Sequence, residues 1–315
     1  MSLKNSFFFF VHWGRKKLPF SGEIKGRGKE IIIIPGSLEV TLPRNDIVAL
    51  NVDSPINIKA SLQAIINQIN SKNGLAILSH PSYLLKPYNR RKLLRLENYL
   101  GIEIYNPSKI PWPESTRRWD YLLFRKYGKK IWGFTSDDMH DLKRDAGRAW
   151  IMVRTERKSV SGILEALKEG SFYSTTGPLL EDIIAEKDKI RVHLKSPVQI
   201  KYIGYKHKVL QVDFGRESAY HFKSHDKYVR IEIKDLHNKK KAWTQPVFLQ
   251  DGRITYFPYA KNGEWLKGCI HIHTNLDGGS AGLEEVIDWY NNHGYHFLAV
   301  TDHNFIAHPK SFSEI

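Results

Sequence analysis

Several features that would narrow the class of protein are scarce in this chain of 315 residues. It contains a single cysteine, Cys269, which excludes an intramolecular disulfide framework and a zinc site built from thiolates. No apolar run approaches the ~18 residues of a membrane span. The apolar stretch 7–11 is too short for the core of a signal peptide, and no small-residue cleavage site follows it. A cytoplasmic location is therefore the expectation.

Three familiar catalytic motifs are also missing from the chain. It has no P-loop, no zinc-protease helix motif and no nucleophile elbow around a serine. Positive charge, by contrast, is in excess, because 48 lysines and arginines face 33 acidic residues and give a net charge of +15. Such a balance favours anionic partners, namely phosphate esters, nucleic acid or acidic membranes. The positive residues are scattered, however, and we favour solubility as the explanation.

Short apolar strands alternate with amphipathic helices at both ends of the chain, which predicts a parallel α/β sheet or barrel. The predicted strands are Glu30–Ile34, Leu75–Ser79, Gly101–Tyr105, Lys130–Thr135, Gly268–His273 and His296–Thr301. The predicted helices are Leu62–Asn70, Trp119–Tyr127, Ser161–Gly170 and Leu283–Asn291.

The pattern changes between residues 183 and 257, where short alternating segments replace the helices and predict a small antiparallel β-sandwich. Its predicted strands are Ile190–Leu194, Ile200–Tyr205, Val209–Phe214, Tyr228–Ile233 and Val247–Leu249. We therefore divide the chain into an unassigned segment 1–29, barrel residues 30–180, a sandwich domain 181–262 and barrel residues 263–315.

Metal-ligating side chains follow five of the strands, at the carboxyl ends where α/β barrels carry their active sites. His271 and His273 are two residues apart in a strand and therefore face the same side. The candidates are Glu39, His80, Asp138, His140, His271, His273, Asp277, Asp302 and His303. Burying so many ionisable groups without a metal would cost several kcal/mol each. The pattern therefore favours a metal site over structural histidines.

The mixture of histidine and carboxylate without thiolate suits Zn²⁺, Mn²⁺ or Fe²⁺ rather than Mg²⁺ or Ca²⁺. The donors exceed what one tetrahedral ion can use, so two or three ions about 3.5–4 Å apart are expected to share a bridging carboxylate and hydroxide. Such a cluster makes a nucleophile at neutral pH and clamps the oxygens of a phosphoryl group.

Five strings of the sequence resemble motifs of the PHP (polymerase and histidinol phosphatase) superfamily. They are Pro35–Thr41, Ser79–Pro81, Ser136–His140, Gly268–Thr274 and Thr301–Asn304. Residues 147–150, 163–178 and 228–246 resemble the metallohydrolase branch that appends a β-sandwich to the PHP barrel. The resemblance covers most of residues 30–305.

The resemblance implies a distorted (βα)7 barrel that holds up to three ions, with a metal-bound hydroxide held by Glu39 and Asp138. The implied ligands are His271, His273 and Asp138 for the first ion, Glu39 as its bridge to a second ion that also uses His80, and Asp277, His303 and His140 for the third. Asp302 would orient a ligand without touching a metal. Asp137 has only a minor claim as a ligand, and Cys269 stands where the family often has Asp or Asn.

The order of the motifs departs from the family, which begins with His-x-His and continues through Thr-Asp-His to the Glu, His and Asp-x-His motifs. Here the last three come first, so the resemblance implies a circularly permuted barrel with Met1 and Ile315 in one surface loop. Two alternatives stay open. In the first, the chain is part of a longer tandem protein whose site is completed by a neighbouring domain or chain. In the second, the reading frame is an artefact.

The leading hypothesis is a metal-dependent phosphoesterase acting on a small phosphate ester, with Arg148 and Lys86 as candidate contacts to the outer phosphate. Other esters and carbamates are alternative substrates in the same branch. A nuclease or nucleic-acid trimming enzyme is the second hypothesis, supported by the net charge of +15. A binding module with an inactive barrel is the third. The substrate, the native metal and the oligomeric state stay open.

Overall fold

The computed structural model describes residues 23–25 and 30–306. The predicted unassigned segment 1–29 lies outside these residues except for Glu23–Lys25. The predicted meeting of Met1 and Ile315 in one loop also lies outside them.

The described residues form eighteen strands, numbered here in chain order. They are β1 Glu23–Lys25, β2 Glu30–Ile33, β3 Leu38–Thr41, β4 Asp46–Leu50, β5 Leu75–Leu78, β6 Gly101–Tyr105, β7 Trp132–Thr135, β8 Trp150–Thr155, β9 Phe172–Thr175, β10 Leu180–Ala185, β11 Lys189–Gly204, β12 Lys208–His221, β13 Tyr228–Lys234, β14 Lys241–Thr244, β15 Val247–Gln250, β16 Arg253–Tyr256, β17 Glu264–Cys269 and β18 Phe297–Leu298.

Five α-helices accompany the strands. They are α1 Leu62–Ser71, α2 Arg90–Arg95, α3 Thr116–Arg125, α4 Val160–Glu169 and α5 Leu283–Asn292. A side chain caps the amino end of α1, α2 and α4. The side chain of Ser159 caps α4 by accepting from the backbone NH of Gly162, and the helix stops at Gly170, which has a φ of 75°. None exceeds ten residues, whereas a bilayer span needs ~20 apolar residues, so no described helix could cross a membrane.

A five-stranded sheet runs in the order β3-β4-β5-β6-β7. Its strands β5, β6 and β7 are parallel, as the sequence predicts. The pairs β3–β4 and β4–β5 are antiparallel, so the expectation of a wholly parallel sheet is wrong at this edge. The cause is β4, a strand that was not predicted and that pairs with β3 as a hairpin after a break of four residues.

The strands from the two ends of the described chain meet in a second, thirteen-stranded sheet. In it β18 lies parallel to β17 on one side and to β2 on the other. Single bridges from Glu39 to His303 and from Met139 to Ile272 connect the two sheets. Among the described strands the two ladders do not close into one sheet. The mixed α/β class is therefore confirmed, whereas the seven-stranded barrel and the circular permutation remain predictions.

The predicted strands Gly268–His273 and His296–Thr301 extend beyond the carboxyl ends of the observed strands β17 and β18. Regular pairing ends at Cys269 and Leu298, but the chain stays extended beyond both. The backbone NH of Ala299 donates to Cys269 at 2.9 Å, and that of Thr301 donates to Ile272 at 2.8 Å. The extended chain thus carries the motif residues to the edge of the sheet without a continuous ladder.

Strands β10 to β16 are antiparallel, as predicted for the middle of the chain. The three strands predicted between Ile190 and Phe214 are instead two long ones, β11 and β12, which form a single hairpin of 16 and 14 residues. They share their sheet with β8, β9 and β17. The domain limits 181 and 262 remain a prediction.

Close packing positions β17 against β18. Gly268 in β17 pairs with Phe297 in β18, and a Cβ on Gly268 would lie 2.1 Å from Cζ of that buried ring. Only a residue without a side chain fits here. The contact fixes the strand that leads into His271.

Candidate metal centre

Two extended segments that carry histidine and aspartate run side by side, joined by a parallel bridge between Met139 and Ile272. The backbone NH of Asp138 donates to the carbonyl of His271, and that of His273 donates to the carbonyl of Met139, each at 2.9 Å. Met139 and Ile272 pack in the apolar core. Because side chains alternate along an extended chain, His271 and His273 project together to the opposite side, as predicted.

Glu39, which comes from β3 and is buried, lies at the centre of the cluster. Its Oε2 is 3.4 Å from Nε2 of His271, 3.6 Å from Nε2 of His273 and 3.0 Å from Nε2 of His303. Its Oε1 is 3.1 Å from Nε2 of His80. One carboxylate therefore touches imidazoles from three distant parts of the sequence, and the donors from the two ends of the chain converge.

Asp138 faces the two buried histidines with one oxygen only. Its Oδ1 is 3.2 Å from Nε2 of His273 and 3.5 Å from Nε2 of His271. Its Oδ2 is held on the other side by Nζ of Lys109 at 2.6 Å and by Nδ2 of Asn106 at 2.9 Å. The carboxylate is thereby oriented, and Oδ1 is left toward the histidines. Sequence reasoning missed both Lys109 and Asn106.

A group of three histidines, two of them partly exposed, lies at the solvent side of the site. Donor nitrogens of His140, His273 and His303 lie within 4.8 Å of one another. The side chains of His140 and His303 are 30% and 31% exposed, whereas that of His273 is fully buried. Oδ2 of Asp277, the predicted further ligand of this set, lies 2.5 Å from Nδ1 of His303 and orients that ring. Its role as a ligand stays a prediction. Asp277 also forms a separate group with His273 and Asp302.

A further group consists of Glu39, His80 and Asp46, whose donor atoms lie within 4.8 Å of one another. Oδ2 of Asp46 is 3.8 Å from Nε2 of His80. Asp46 was not predicted because it begins β4 rather than ending a strand. Since β4 runs antiparallel to β5, its amino end lies at the same edge as the carboxyl end of β5, which precedes His80.

Glu103 is the second carboxylate that sequence reasoning missed. It is buried in β6, and its Oε1 lies 2.8 Å from Nδ1 of His271. Its Oε2 accepts from the backbone NH of His80 at 2.7 Å and from Nδ2 of Asn106 at 3.0 Å. Its Oε1 also accepts from the hydroxyl of Ser136. A charged residue inside an otherwise apolar strand was the signal available in the sequence.

Buried donor atoms without hydrogen-bond partners test whether the cluster fits a metal. Among the described residues they include Oδ1 of Asp138, Nε2 of His271 and both ring nitrogens of His273. Buried polar atoms normally have a partner, because an unpaired one costs about 1–3 kcal/mol. Here the unpaired atoms converge on one another. The donor set therefore suits one or more divalent cations.

Strained backbone is found at two of the candidate ligands. His80 has a φ of 29° and Asp138 a φ of 48°, which is unfavourable for any residue other than glycine. Such residues cost about 1–3 kcal/mol each and cluster at functional sites, where the surrounding structure holds them. The observation agrees with a functional role for both side chains.

The electrostatics of the cluster favour carboxylates in their charged form. Burial alone would raise the pKa of Glu39 and of Asp138, but His271 and the neighbouring cationic and hydrogen-bonding groups hold both pKa values well below their usual range. The pKa of His271 is raised, because Asp138, Glu103 and Glu39 outweigh the effect of burial. Burial lowers the pKa of His273 to about 4. The ionised carboxylates therefore favour positive charge next to Glu39 and Asp138, which His271 carries and which His273 does not.

Three other predicted residues hold loops in place. Asp302 accepts from the backbone NH and the hydroxyl of Thr274 at 2.6 and 2.8 Å. Asp137 accepts from the hydroxyl of Tyr290 at 2.8 Å and from the three backbone NH groups of residues 147–149. The Cys269 thiol is buried, and its sulfur lies 3.5 Å from the backbone nitrogen of Asp137.

The two predicted substrate contacts differ in their relation to the cluster. Nζ of Lys86 lies 2.9 Å from Oδ1 of Asp46, beside the candidate ligand His80. Arg148 is exposed, and its backbone NH donates a hydrogen bond to the carboxylate of Asp137. Among the described lysines, Lys109 places its ammonium nearest the buried donors, 2.6 Å from Oδ2 of Asp138.

No protein-family model and no curated protein matches the chain. A similar solved structure is a two-domain protein from Bacteroides vulgatus ATCC 8482 that contains a predicted PHP-like metal-dependent phosphoesterase. The two are 12% identical over 73% of this chain and 74% of that one, with a TM-score of 0.36. A similarity of this size decides nothing about function, and the assignment that follows depends on the side chains of this chain alone.

Proposed function

We propose that the chain is a metal-dependent hydrolase that acts on a small phosphate ester. The observation that carries the proposal is the convergence of Glu39, Asp138 and histidines from three segments around buried atoms that have no hydrogen-bond partner. Divalent ions held there would supply a nucleophile from water at neutral pH and would stabilise negative charge on phosphoryl oxygens.

The residues divide into three donor groups in this proposal. Glu39, His271 and His273 with Asp138 would hold the most buried ion, and Glu39 and His80 with Asp46 would hold a second. His140, His273 and His303 would hold a third at the mouth of the site. The metal is Zn²⁺, Mn²⁺ or Fe²⁺, in agreement with a donor set of imidazoles and carboxylates. Glu39 takes part in the first two groups and would therefore contribute to holding both ions.

Other side chains prepare the site. Glu103 fixes the ring of His271, Asp277 fixes that of His303, and Lys109 with Asn106 fixes Asp138. Such outer contacts commonly change metal affinity by about 10–100-fold. Lys86 remains our candidate for contact with the substrate phosphate at the Asp46 side, and Arg148 a candidate on the exposed loop.

The test is a comparison of the His273→Ala variant with His237→Ala, an exposed histidine of the antiparallel region. Both variants and the wild type would be assayed with Mn²⁺ or Zn²⁺ on phosphate monoesters, phosphodiesters, carboxylic esters, carbamates and single-stranded DNA. We expect His273→Ala to lose phosphate-ester hydrolysis while its circular dichroism is unchanged, and His237→Ala to retain it.

Full activity in His273→Ala would refute the assignment. Cleavage of single-stranded DNA in preference to small esters would replace it with the nuclease hypothesis. That cleavage should then fall steeply with added salt.

A further inference from the structure

A cavity separate from the candidate metal centre lies beside the loop that follows His80. It has a volume of about 650 Å³, within the range of ligand pockets. Six of its lining residues carry the argument, namely Ser82, Leu84, Trp112, Arg117, Arg118 and His207. Between Ser82 and Leu84, the ring of Tyr83 packs edge-on against His80 at 5.4 Å. This space, here the Arg118 cavity, contains none of the donors of the candidate metal centre.

Arg118 is a partly buried cation without a carboxylate partner among the described residues. Its Nη1 donates to the hydroxyl of Ser82 at 3.1 Å, and its Nε donates to the carbonyl of Tyr88 at 3.3 Å. Burial and the neighbouring cation Arg90 lower its pKa. The guanidinium is therefore held by neutral acceptors, and no carboxylate in the described part of the chain compensates its charge.

The two carboxylates that line the cavity already have cationic partners. Glu114 lies 2.7 Å from Nζ of Lys241, and Glu232 lies 3.9 Å from Nη1 of Arg230. Neither forms an ion pair with Arg118 or with the adjacent Arg117. An incoming anion would thus meet positive charge that no described acid neutralises.

Apolar surface stands beside this charge. Trp112 is 54% exposed and Leu84 is 57% exposed, although both are large hydrophobic residues on the wall of a cavity. Convergent apolar surface next to a few polar groups is the usual composition of a small-molecule site. An aromatic or aliphatic group that covers Trp112 would gain about 25 cal/mol for each Å² removed from water.

The antiparallel region closes the cavity with an unusual turn. His207 at the tip of the β11–β12 hairpin has a φ of 61°, and Lys206 before it has a φ of 60°. The ring of His207 is fixed by the carboxylate of Asp120, which also binds the buried Arg230 through two hydrogen bonds of 2.7 and 2.8 Å. This wall of the cavity therefore carries an imidazole, held by Asp120, beside Arg117 and Arg118.

We propose that the Arg118 cavity binds a small organic anion, with its carboxylate or phosphate group against Arg118 and its apolar body against Trp112 and Leu84. The site does not depend on a metal ion. A failure of the hydrolase proposal would therefore leave this proposal unaffected, and the reverse also holds.

The experiment is isothermal titration of the full-length protein with phenylphosphonate, which has no ester bond to be cleaved, and with benzoate and inorganic phosphate. The variants are Arg118→Gln, Trp112→Ala and, as matched control, Arg125→Gln, which removes one charge from the exposed end of the same helix. His273→Ala is added to disable the candidate metal centre. Thermal unfolding of each variant verifies the fold, and Trp112 is exposed enough that its replacement should not unfold the chain.

We expect saturable binding of one phenylphosphonate or one benzoate per chain, and the tighter of the two identifies the anionic group. Affinity should fall at least tenfold in Arg118→Gln and at least fivefold in Trp112→Ala, and should stay within twofold of wild type in Arg125→Gln and His273→Ala. Several results would overturn the proposal: no saturable binding of either aromatic anion, equal affinity in Arg118→Gln and Arg125→Gln, loss of binding in His273→Ala, or inorganic phosphate binding as tightly as the aromatic anions.

Discussion

Oε1 of Glu103 lies 2.8 Å from Nδ1 of His271, although 168 positions separate the two residues in the sequence. The contact fixes which nitrogen of the ring faces away from Glu103, and that nitrogen, Nε2, points to Glu39 and Asp138. A carboxylate behind a histidine is a common way of fixing the tautomer and raising the basicity of a metal ligand. Glu103 is therefore part of the proposed site without touching a metal.

Replacing Glu103 by Gln should weaken metal binding. The amide keeps the size of the side chain but removes the charge that holds the proton on Nδ1 of His271. We expect about 10–100-fold lower affinity for Zn²⁺. The measurement is competition with a chromophoric chelator. Glu97→Gln, at an exposed residue paired with Lys126, serves as control and should bind like wild type. Equal affinities in the two variants would show that Glu103 has only a structural role.

Lys109 should act through Asp138. Its ammonium holds Oδ2 at 2.6 Å and leaves Oδ1 toward the histidines. In Lys109→Met the carboxylate loses this restraint, and we expect metal affinity to fall about tenfold. Lys109→Arg should restore most of it because a guanidinium can donate to the same oxygen.

The matched control for Lys109 is Lys129→Met, which removes an exposed ammonium. Titration calorimetry with Mn²⁺ compares the four proteins. An unchanged affinity in Lys109→Met, with unfolding as in wild type, would contradict the positioning role.

Metal binding should release protons, and one of them should come from His303. Burial alone would lower the pKa of His303, but hydrogen bonds with Asp277 and Glu39 raise it to about 9. His303 is therefore protonated at neutral pH in the metal-free chain, and an ion must displace that proton. His273, whose pKa is lowered to about 4, has no proton to release. We expect His303→Ala to release about one proton fewer than wild type on saturation with Zn²⁺ at pH 7.5.

Calorimetry in buffers of different ionisation enthalpy measures this number, and His237→Ala is the control. The same pKa gives a sign for stability. The contribution of protonated His303 to the metal-free fold is complete below the unfolded pKa of about 6.5 and is lost as pH rises through about 9. If wild type and His303→Ala release equal numbers of protons, His303 is not a ligand.

The contact between Gly268 and Phe297 predicts a stability effect. A methyl group on Gly268 would overlap the buried ring, and overpacking of this kind costs about 1–3 kcal/mol. Gly268→Ala should therefore lower the urea midpoint, whereas Gly282→Ala, where the nearest atom is 3.9 Å from a new Cβ, should have the smaller effect. A Gly268→Ala midpoint equal to that of wild type would mean that β17 and β18 are not packed this closely.

The sequence pattern identifies candidate donors that follow strands in the expected direction, and the structure brings these candidates together. His80 and Asp138 follow apolar strands of the five-stranded sheet, and His271 and His303 follow apolar strands of the thirteen-stranded sheet. The carboxyl ends of these strands meet at the proposed site. Asp46 was not predicted because β4 runs antiparallel to β5, which places the first residue of β4 beside the carboxyl end of β5. The orientation of a short strand depends on its pairing partner, which local sequence does not specify.

Glu103 and Lys109 show a second limit of prediction from the sequence pattern. Glu103 lies within β6, and Lys109 follows it in a loop, so neither occupies the strand-end position by which donors were sought. Their function depends on contacts with His271 and Asp138, which are distant in sequence. Long side chains can reach an oxygen from many backbone positions, and only tertiary structure selects one.

The most direct test is a crystal structure of the full chain soaked in Zn²⁺, with an anomalous difference map collected at the zinc absorption edge. At least two peaks are expected, one bonded to His271 and His273 and one bonded to His80, each about 2.0–2.1 Å from a ring nitrogen. An empty map around these three histidines, with zinc bound only at surface residues, would contradict the proposed metal centre.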